Sequence, residues 1–481
     1  MKTCCGKPIS GPGVMCMSAL SFEKDGFMRN LKISSIHLIP LSFLALIITG
    51  SLFLMFPFSF SEGTWTPFID AFFTSASAVC VTGLVVTPTY MHWSLAGQII
   101  LLILIQFGSL GIVSVISIFM LITNRKFSLR DRVMLRDALN LENTGGVLTF
   151  LSVVVIGTLT AELLGAAIYA FTFVPQFGWR HGLWVSVFTS VSAFCNAGFD
   201  IIGPDSLIPY QSNGFVLGVT MFLIVISGLG FMVWMDIGDK LRYGISRRWS
   251  PLQILKHLSE HSKLVLSITA VLVFGGAAIF LITEYRNPDT IGTLPFSGKV
   301  LNSLFQSVTL RTAGFNSFSQ KKMTNLSWVI AYLLMFIGGS PIGTAGGVKT
   351  TTFYIAILNV VSYIKNQTSG QAFRRSISAE QMKKASAIAD VFAVTVIFFT
   401  LLLISTTPVS TQDGFFEIIS AEGTVGLTRD VTFTLNTSGK LIVAAAMYLG
   451  RIGPISLAVF FTRGSRKKID MKLAEGSFFV G

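Results

Sequence analysis

The sequence predicts an all-α polytopic membrane protein in which a unit of helix, pore loop and helix occurs four times around a pseudo-fourfold axis. Three observations lead to this fold class. Apolar residues make up 52% of the 481 positions and charged residues only 12%, against roughly 25% charged in an ordinary soluble domain. The mean hydropathy is +0.69. Four similar segments, each ending in glycine, recur at a near-constant spacing.

The composition argues against the main classes of soluble protein. One soluble core of this size could not bury 42 Phe together with the other apolar side chains. The net charge of +13 also occurs in nucleic-acid binders, but membrane proteins keep Lys and Arg in their cytoplasmic loops, so we expect no nucleic-acid partner. The five cysteines include no CxxC pair, which predicts neither a disulfide framework nor a metal site.

Eight membrane spans are predicted from the apolar runs. A helix needs about 20 apolar residues to cross a bilayer core, and seven runs meet this length: 36–57, 95–122, 148–173, 214–237, 264–283, 388–407 and 440–462. The eighth is interpreted as a broken span over 327–364, because its apolar halves 327–337 and 353–364 are each too short to cross.

Between the spans of each pair lies a segment that is too short to cross and too apolar for a solvated loop. The four glycine segments, as we call them, are Phe73–Gly83, Phe188–Gly198, Leu304–Gly314 and Phe416–Gly426. Their last glycines are 115, 116 and 112 residues apart, and such a regular period indicates internal repeats. The predicted organisation is an N-terminal segment 1–33, repeats 34–122, 147–238, 264–364 and 386–463, and a tail 464–481.

The distribution of Lys and Arg predicts the topology. The N-terminal segment, the loops near 123–147, 239–263 and 365–387, and the C-terminal tail carry 26 of the 36 basic residues, whereas the stretches that hold the glycine segments carry eight. Because basic loops stay in the cytoplasm, we expect both termini inside and the glycine segments entering from outside. Among the four outer stretches, the third fits this topology least well, because it has five basic residues.

Four equivalent re-entrant segments suit the conduction of a monovalent cation. Irregular backbone at membrane depth is tolerated where it lines a water-filled path or is buried in protein, and rings of backbone carbonyls replace the hydration shell of an ion. A single terminal glycine is usually only a helix cap, but four in equivalent positions favour a selectivity filter. Acids near the outer ends either enrich cations at the mouth or are merely solvated: Asp200, Asp205, Asp413 and Asp430.

The residues around these glycines resemble a known family. The motifs are Ser77-Ala-Val-Cys-Val-Thr-Gly-Leu84, Asn196-Ala-Gly-Phe199, Arg311-Thr-Ala-Gly-Phe-Asn316, Glu422-Gly-Thr-Val-Gly-Leu427 and Gly450-Arg-Ile-Gly-Pro454. Over about residues 34–463 the pattern resembles the Trk/Ktr/HKT superfamily of potassium transporters. It is closest to the bacterial Ktr-type (KtrB-like) membrane subunit.

The resemblance implies that K⁺ is held by the residues just before and at each glycine. They are Val81, Thr82, Gly83, Asn196, Ala197, Gly198, Thr312, Ala313, Gly314, Thr424, Val425 and Gly426. In the plant relatives Ser at the first position goes with sodium preference, so Gly83 implies potassium. Each segment has a single filter glycine, which implies a shorter filter than the TVGYG motif of tetrameric potassium channels.

The break in the third predicted repeat is rich in glycine. Each of its glycines costs a helix about 1 kcal/mol relative to Ala, and the resemblance implies an intramembrane gating loop over 338–349, with an ordinary interhelical loop as the alternative. The predicted gate residues are Gly338, Gly339, Gly343, Gly346, Gly347, Lys349 and Arg451. The resemblance implies that Arg451 contacts this loop and places positive charge in the ion path. Lys349 either acts similarly or extends to the cytoplasmic surface.

Two further charges lie close to filter glycines. Arg311 precedes Gly314 by three residues and Glu422 precedes Gly426 by four. An unpaired charge at this depth is costly, so we expect Arg311 and Glu422 to form an ion pair that braces the filter.

The favoured function is potassium uptake across the bacterial cytoplasmic (inner) membrane, driven by the membrane potential. Sodium conduction or obligatory Na⁺ coupling in the same fold stays open. A membrane-embedded enzyme is disfavoured, because the five histidines are scattered and no acid–base or metal set is clustered. A receptor that has lost transport is disfavoured by the four intact glycines. The resemblance implies a homodimer on a ring of cytosolic nucleotide-binding (RCK-type) subunits; the basic loops could face that ring or anionic membrane lipid.

Overall fold

The computed structural model describes residues 35–111, 147–367, 370–373 and 375–453, and it is mainly helical. In chain order the helices are α1 Ser35–Met55, α2 Phe68–Cys80, α3 Thr89–His92, α4 Leu95–Leu110, α5 Val147–Phe177, α6 Trp179–Cys195, α7 Gly214–Gly228, α8 Phe231–Ser246, α9 Pro251–Lys256, α10 Glu260–Glu284, α11 Phe296–Thr309, α12 Asn325–Phe336, α13 Thr350–Ile364, α14 Ala379–Thr406, α15 Thr411–Glu422 and α16 Thr437–Ile452. The predicted terminal segments 1–33 and 464–481, most of the loop 123–147 and Pro454 lie outside the described residues.

Short polar side chains set where several helices begin. Ser94, Ser378, Ser410 and Asn436 each precede a helix and accept a hydrogen bond from the backbone N–H three residues later. Such caps satisfy one of the N–H groups that a helix start leaves without an intrahelical partner. Between α13 and α14 the chain forms an antiparallel hairpin of β1 Gly370–Ala372 and β2 Arg375–Ile377, in which Gln371 pairs with Ser376.

Three short helices are attached in the same way to the long helix that precedes each of them. Ser75 in α2 donates to the carbonyl of Ile47 in α1 over 2.8 Å. Ser190 in α6 donates to Glu162 O in α5 over 2.6 Å, and Ser307 in α11 donates to Val273 O in α10 over 2.8 Å. A buried hydroxyl that donates a hydrogen bond to a helix carbonyl satisfies its own hydrogen-bonding capacity. The bond also fixes the position of the short helix along the long one.

Side-chain contacts also join each of the four short helices to a second part of the chain. Trp184 in α6 donates to Gln98 in α4 over 2.7 Å, and Asn302 in α11 donates to Gln211 O, just before α7, over 2.8 Å. The hydroxyl of Tyr332 in α12 donates to Gln412 O in α15 over 3.1 Å. The last junction, Lys440 with Asp70, returns from α16 to α2. These four junctions form a closed cycle.

The run predicted as one span over 214–237 is bent instead. Helices α7 and α8 meet at an angle of 95°. Gly230, at the break, has a φ of +87°, which a residue with a β-carbon adopts at a cost. The backbone groups released by the bend are used elsewhere, because Gly228 O accepts from Ser340 N over 2.9 Å and Phe231 N donates to Ile342 O over 3.0 Å.

Three described helices are long and apolar enough to cross a membrane, and the bent pair α7–α8 can count as a fourth. The three are Phe150–Phe177, Glu260–Glu284 and Ala379–Thr406. Other predicted spans correspond to shorter apolar helices: Pro40–Met55, Leu95–Leu110, Asn325–Phe336 and Thr350–Ile364. The spans predicted at 95–122 and 440–462 run beyond the described residues. Outward-facing side chains such as Phe171 and Ile282, 78% and 77% exposed, suit contact with lipid tails.

Candidate cation pathway

All four glycine segments leave their short helix with the same backbone conformation. The residue two before each glycine is left-handed, with φ of 57° at Val81, 58° at Asn196, 71° at Thr312 and 50° at Thr424. The glycines follow with φ of 97°, 67°, 85° and 89°. Positive φ is uncommon for non-glycine residues, so its recurrence at four matching positions reflects one local structure repeated along the chain.

The glycines bring the four segments into contact around a ring. A β-carbon on Gly83 would lie 2.5 Å from the carbonyl oxygen of Ala197, one on Gly198 would lie 2.8 Å from Ala313 O, and one on Gly314 would lie 2.9 Å from Val425 O. One on Gly426 would meet Thr82 O and complete the circuit. Each segment thus touches the next through backbone atoms. These contacts involve eight of the twelve residues predicted for the filter, and the other four, Val81, Asn196, Thr312 and Thr424, are their neighbours in the chain.

Several hydroxyls in this ring have no hydrogen-bond partner. The Oγ1 atoms of Thr82, Thr312 and Thr424 are buried and unpartnered, whereas the Asn196 side chain interacts with Ser227 and Thr344 at 3.4 and 3.3 Å. A buried polar atom without a partner is costly unless something else coordinates it. Together with the backbone oxygens, these hydroxyls supply the hard oxygen donors that a dehydrated alkali cation prefers.

One face of the ring opens into a cavity of about 260 Å³ that all four glycines line. Asp200, Asp205 and Asp430 also line it, so the mouth carries negative charge. Burial raises the pKa of Asp200 to about 6, although hydrogen bonds to Ser206 and to the backbone at Ile202 lower it. Asp413, the fourth acid expected here, instead binds the Arg429 guanidinium at 3.0 Å.

The loop predicted as a gate lies against two of the four segments of the ring. Thr344 contacts two groups of the second segment, because Asn196 Nδ2 donates to its hydroxyl over 3.3 Å and that hydroxyl donates to Phe194 O over 3.4 Å. A β-carbon on Gly346 would meet the Thr424 hydroxyl of the fourth segment. The loop closes on itself where Gly338 N donates to Val348 O over 3.0 Å.

Arg451, which lies on α16, connects this loop to α4. Its Nη1 donates to Thr344 O over 2.7 Å, and its Nη2 donates to Gly108 O and Ser109 O over 2.5 and 3.1 Å. Lys349, for which two roles were open, donates to Ala345 O over 2.6 Å within the loop. Both cations therefore bind carbonyls of the loop, and no ion pair neutralises either one within the described residues.

The remaining gate glycines allow close packing of the loop. A β-carbon on Gly343 would lie 3.0 Å from Ser227 O and 3.2 Å from the Cα of Gly230. Gly338 and Gly347 pack against each other, and a β-carbon on Gly339 would lie 2.4 Å from the β-carbon of Ala345. Ser227 and Gly230 lie at the bend between α7 and α8, so the loop packs against that bend, which the sequence analysis did not predict. The signal available was Gly228 and Gly230, two glycines inside an apolar run.

The structure does not join Arg311 and Glu422, which both lie in the described part of the chain. Arg311 Nη2 approaches Thr269 Oγ1 in α10 at 3.5 Å, and Glu422 accepts a hydrogen bond from Thr395 in α14. Each charge therefore turns to the long helix behind its own segment, and Arg311 Nε and Glu422 Oε2 have no hydrogen-bond partner. The expected ion pair is replaced by two separate contacts.

Comparison with known proteins gives the family. The model of the TrkH family, described as cation transport protein, matches residues 20–468. The chain belongs to the TrkH family. The resemblance to the Trk/Ktr superfamily inferred from the sequence is confirmed, and the members of this family are transport proteins of the membrane.

Two similar proteins match the TrkH-family chain over nearly its whole length. The potassium/sodium uptake protein NtpJ of Enterococcus hirae is 38% identical over 94% of this chain and 98% of its own length. The Ktr system potassium uptake protein B of Bacillus subtilis is 36% identical over 96% of this chain and 100% of its own length.

A solved structure shares the fold. The crystal structure of the potassium transporter TrkH from Vibrio parahaemolyticus matches with a TM-score of 0.71 over 90% of this chain and 86% of that chain. The sequence identity is 17%, so this match describes the fold alone. The two chains share the architecture of a multi-pass helical membrane protein.

Proposed function

We propose that the protein takes up K⁺ across the bacterial cytoplasmic membrane through a filter formed by the four glycine segments. The closed ring of Gly83, Gly198, Gly314 and Gly426 is the observation that carries this proposal. In this proposal the ion binds to the backbone oxygens that lie against the glycines and to the three unpartnered Thr hydroxyls, and the acidic mouth attracts cations. One relative is a potassium/sodium uptake protein and the other a potassium uptake protein.

The membrane potential supplies the driving force in this proposal. Moving one positive charge inward across 100 mV releases about 2.3 kcal/mol. We assign to the chain eight spans in four repeats, with both termini in the cytoplasm, as the basic-residue distribution predicts. The twelve ring residues hold the ion.

We propose that the loop 338–349 is the gate. It lies against two of the four segments through Thr344 and Gly346, and Arg451 binds it from the side. An ion that leaves the filter inward meets this loop and the positive charges of Lys349 and Arg451. Opening then requires the loop to move away from Thr424 and Asn196.

Sodium conduction is the second candidate, because the relative NtpJ is named a potassium/sodium uptake protein. A short filter with a single glycine in each segment provides fewer successive sites at which two alkali ions can be distinguished. Na⁺ then either competes with K⁺ in the same ring or is carried together with it.

The assembly proposed for the chain is a homodimer with a cytosolic RCK-type regulatory ring. One relative is named as part of a Ktr system. Three basic residues lie at this part of the chain: Lys240 on α8, Arg247 directly after α8, and Lys256 on α9. In the proposed topology they face the cytosol, where they would meet either that ring or anionic lipid headgroups.

Rubidium uptake into proteoliposomes under an inside-negative potential tests this function. We expect uptake that excess K⁺ suppresses strongly and excess Na⁺ weakly. Gly314→Ser should lower the preference for K⁺, since its side chain would enter a space bounded by Gly198 and Val425, and deletion of 338–347 should raise uptake. Absence of cation flux both alone and with the regulatory subunit would refute the proposal.

A further inference from the structure

A cavity of about 530 Å³ lies between α4, α5 and α6, away from the ion path. Its walls are mainly apolar and include Leu102, Phe107, Val155, Ala166 and Val191. Residues at its edge face outward from the helices, with Leu163 68% and Leu159 52% exposed. The volume is within the ~300–1,000 Å³ that small-molecule sites occupy, and its opening is on a surface suited to lipid.

Polar groups are built into this apolar wall. Glu162, Gln106 and Thr158 line the cavity, and Glu162 and Thr158 are only 5% and 1% exposed. The Thr158 hydroxyl is buried without a hydrogen-bond partner. A carboxyl group and an unpartnered hydroxyl beside lipid are costly, so the polar end of a ligand would stabilise both.

One oxygen of Glu162 is free to accept a hydrogen bond. Gln106 Nε2 donates to Glu162 Oε1 over 2.6 Å, and the Cys195 thiol approaches the same oxygen at 3.7 Å. Both contacts use Oε1, which leaves Oε2 without a donor among the residues that the structure describes. No cation of the described chain pairs with Glu162, so its Oε2 atom lacks a hydrogen-bond donor.

The same polar groups connect to the ion path. The Cys195 thiol donates to Ser109 Oγ over 3.0 Å, Cys195 directly precedes Asn196 of the second glycine segment, and Ser109 O accepts from Arg451. An occupant of the cavity would therefore act on a hydrogen-bonded chain that reaches both the ring and the residue that holds the loop.

We propose that this cavity binds an apolar chain that ends in a single hydroxyl group, the chemistry of a long-chain alcohol. The hydroxyl donates to Glu162 and lies near the Thr158 hydroxyl, while the chain fills the apolar volume. A neutral hydroxyl enters from lipid without the desolvation cost of a charged head, and a carboxyl oxygen accepts from it whether or not the acid is ionised.

Photolabelling tests the proposal without relying on ion flux, so its failure is separate from failure of the transport function. The probe is hexadecanol with a diazirine in mid-chain, applied to the purified full-length protein in lipid nanodiscs, with cross-linked peptides identified by mass spectrometry. We expect saturable labelling of α4 and α5. Hexadecanol should displace the probe at about tenfold lower concentration than hexadecyl methyl ether, which accepts but cannot donate a hydrogen bond.

Two variants and a matched control locate the site. Ala166→Phe fills the cavity and should reduce the saturable labelling at least about fivefold, whereas Ala278→Phe adds the same ring on the exposed side of α10 and should not. Glu162→Gln keeps the side-chain shape and turns an N–H group toward the cavity, so the preference for alcohol over ether should fall to about twofold; it also provides the test if Ala166→Phe fails to fold. Equal labelling of α10 and α14, or equal displacement by alcohol and ether in the wild-type protein, would overturn the proposal.

Discussion

Lys440 forms an ion pair with Asp70, with Nζ and Oδ1 2.5 Å apart, between residues separated by 370 positions in the sequence. The two side chains are only 17% and 19% exposed. Their contact joins α16 to α2 and closes the cycle of four junctions, whose other members are hydrogen bonds between neutral groups. The closing junction is thus the one held by opposite charges.

We expect Asp70→Asn and Lys440→Gln each to lower thermal stability, because each leaves the other charge unpaired in a partly buried position. A double-mutant cycle should give a coupling of about 1–2 kcal/mol, measured by thermal unfolding in detergent. The exposed pair of Lys322 and Asp289, 3.6 Å apart, is the control and should give below about 0.5 kcal/mol. Equal coupling in both pairs would contradict a special role for the closing junction.

Gly426→Ala should damage the ring far more than Gly63→Ala. Both glycines have positive φ, 89° and 70°, so both variants carry backbone strain of about 1 kcal/mol. Only the β-carbon at 426 would meet a carbonyl, that of Thr82, while nothing lies within 4 Å of the one at 63. We expect Gly426→Ala to lower K⁺-selective rubidium uptake at least about tenfold; similar uptake by the two variants would argue against the ring as the filter.

Arg451→Gln should increase uptake several-fold. The change removes a positive charge beside the ion path and weakens the hydrogen bonds that hold Thr344 of the loop. Arg375→Gln is the control, since the Arg375 side chain is 78% exposed and forms an exposed ion pair with Glu260 at 3.5 Å. Rates of rubidium uptake at fixed potential measure the effect. A decrease to the level of empty liposomes with intact folding would contradict the gate assignment of Arg451.

Gly230→Ala should also loosen the loop, through the bend between α7 and α8. A β-carbon there would meet the carbonyl of Pro341, and the residue's φ of 87° is itself strained for Ala. Gly238→Ala, in α8 with nothing within 4 Å, is the matched control and should leave uptake unchanged. A cysteine reagent applied to Ser340→Cys in each background would report movement of the loop as faster modification.

Asp200 should make uptake depend on pH between about 5 and 7. Its pKa of about 6 means that the carboxyl loses its negative charge as the pH falls through this range, while Asp205 and Asp430 line the same mouth. We expect the apparent KM for K⁺ to rise about two- to threefold on acidification. In Asp200→Asn the KM should be raised at pH 7 and this component of the pH dependence should be absent; an unchanged pH profile would contradict the assignment.

Local signals were sufficient to predict the four glycine segments and the interruption between the apolar helices α12 and α13. A glycine follows the end of each short helix because the chain turns there with positive φ, as at Gly83 and Gly314, and that requirement is visible as residue type and spacing. The contact between Arg451 and the loop followed from family resemblance, since a charge in an apolar run indicates a partner but not which one.

Features that depend on packing between distant elements were not predictable in the same way. The run 214–237 is mainly apolar, and although Gly228 and Gly230 permit a bend, the bend itself depends on hydrogen bonds with residues more than a hundred positions later: Ser340 N donates to Gly228 O, and Ile342 O accepts from Phe231 N. Arg311 and Glu422 have opposite charges near the same ring, yet Thr269 and Thr395 are their nearer partners. Sequence distance from a glycine gives depth along the axis but not the direction in which a side chain turns.

The ring of Gly83, Gly198, Gly314 and Gly426 is made by four stretches of one polypeptide that are similar but not identical in sequence. In a channel assembled from identical subunits, a point mutation alters every side of the pore at once. Here it alters one quarter and leaves three intact, so a single gene can change ion preference in small steps, and the four sides are free to diverge toward separate tasks such as supporting the loop or lining the mouth.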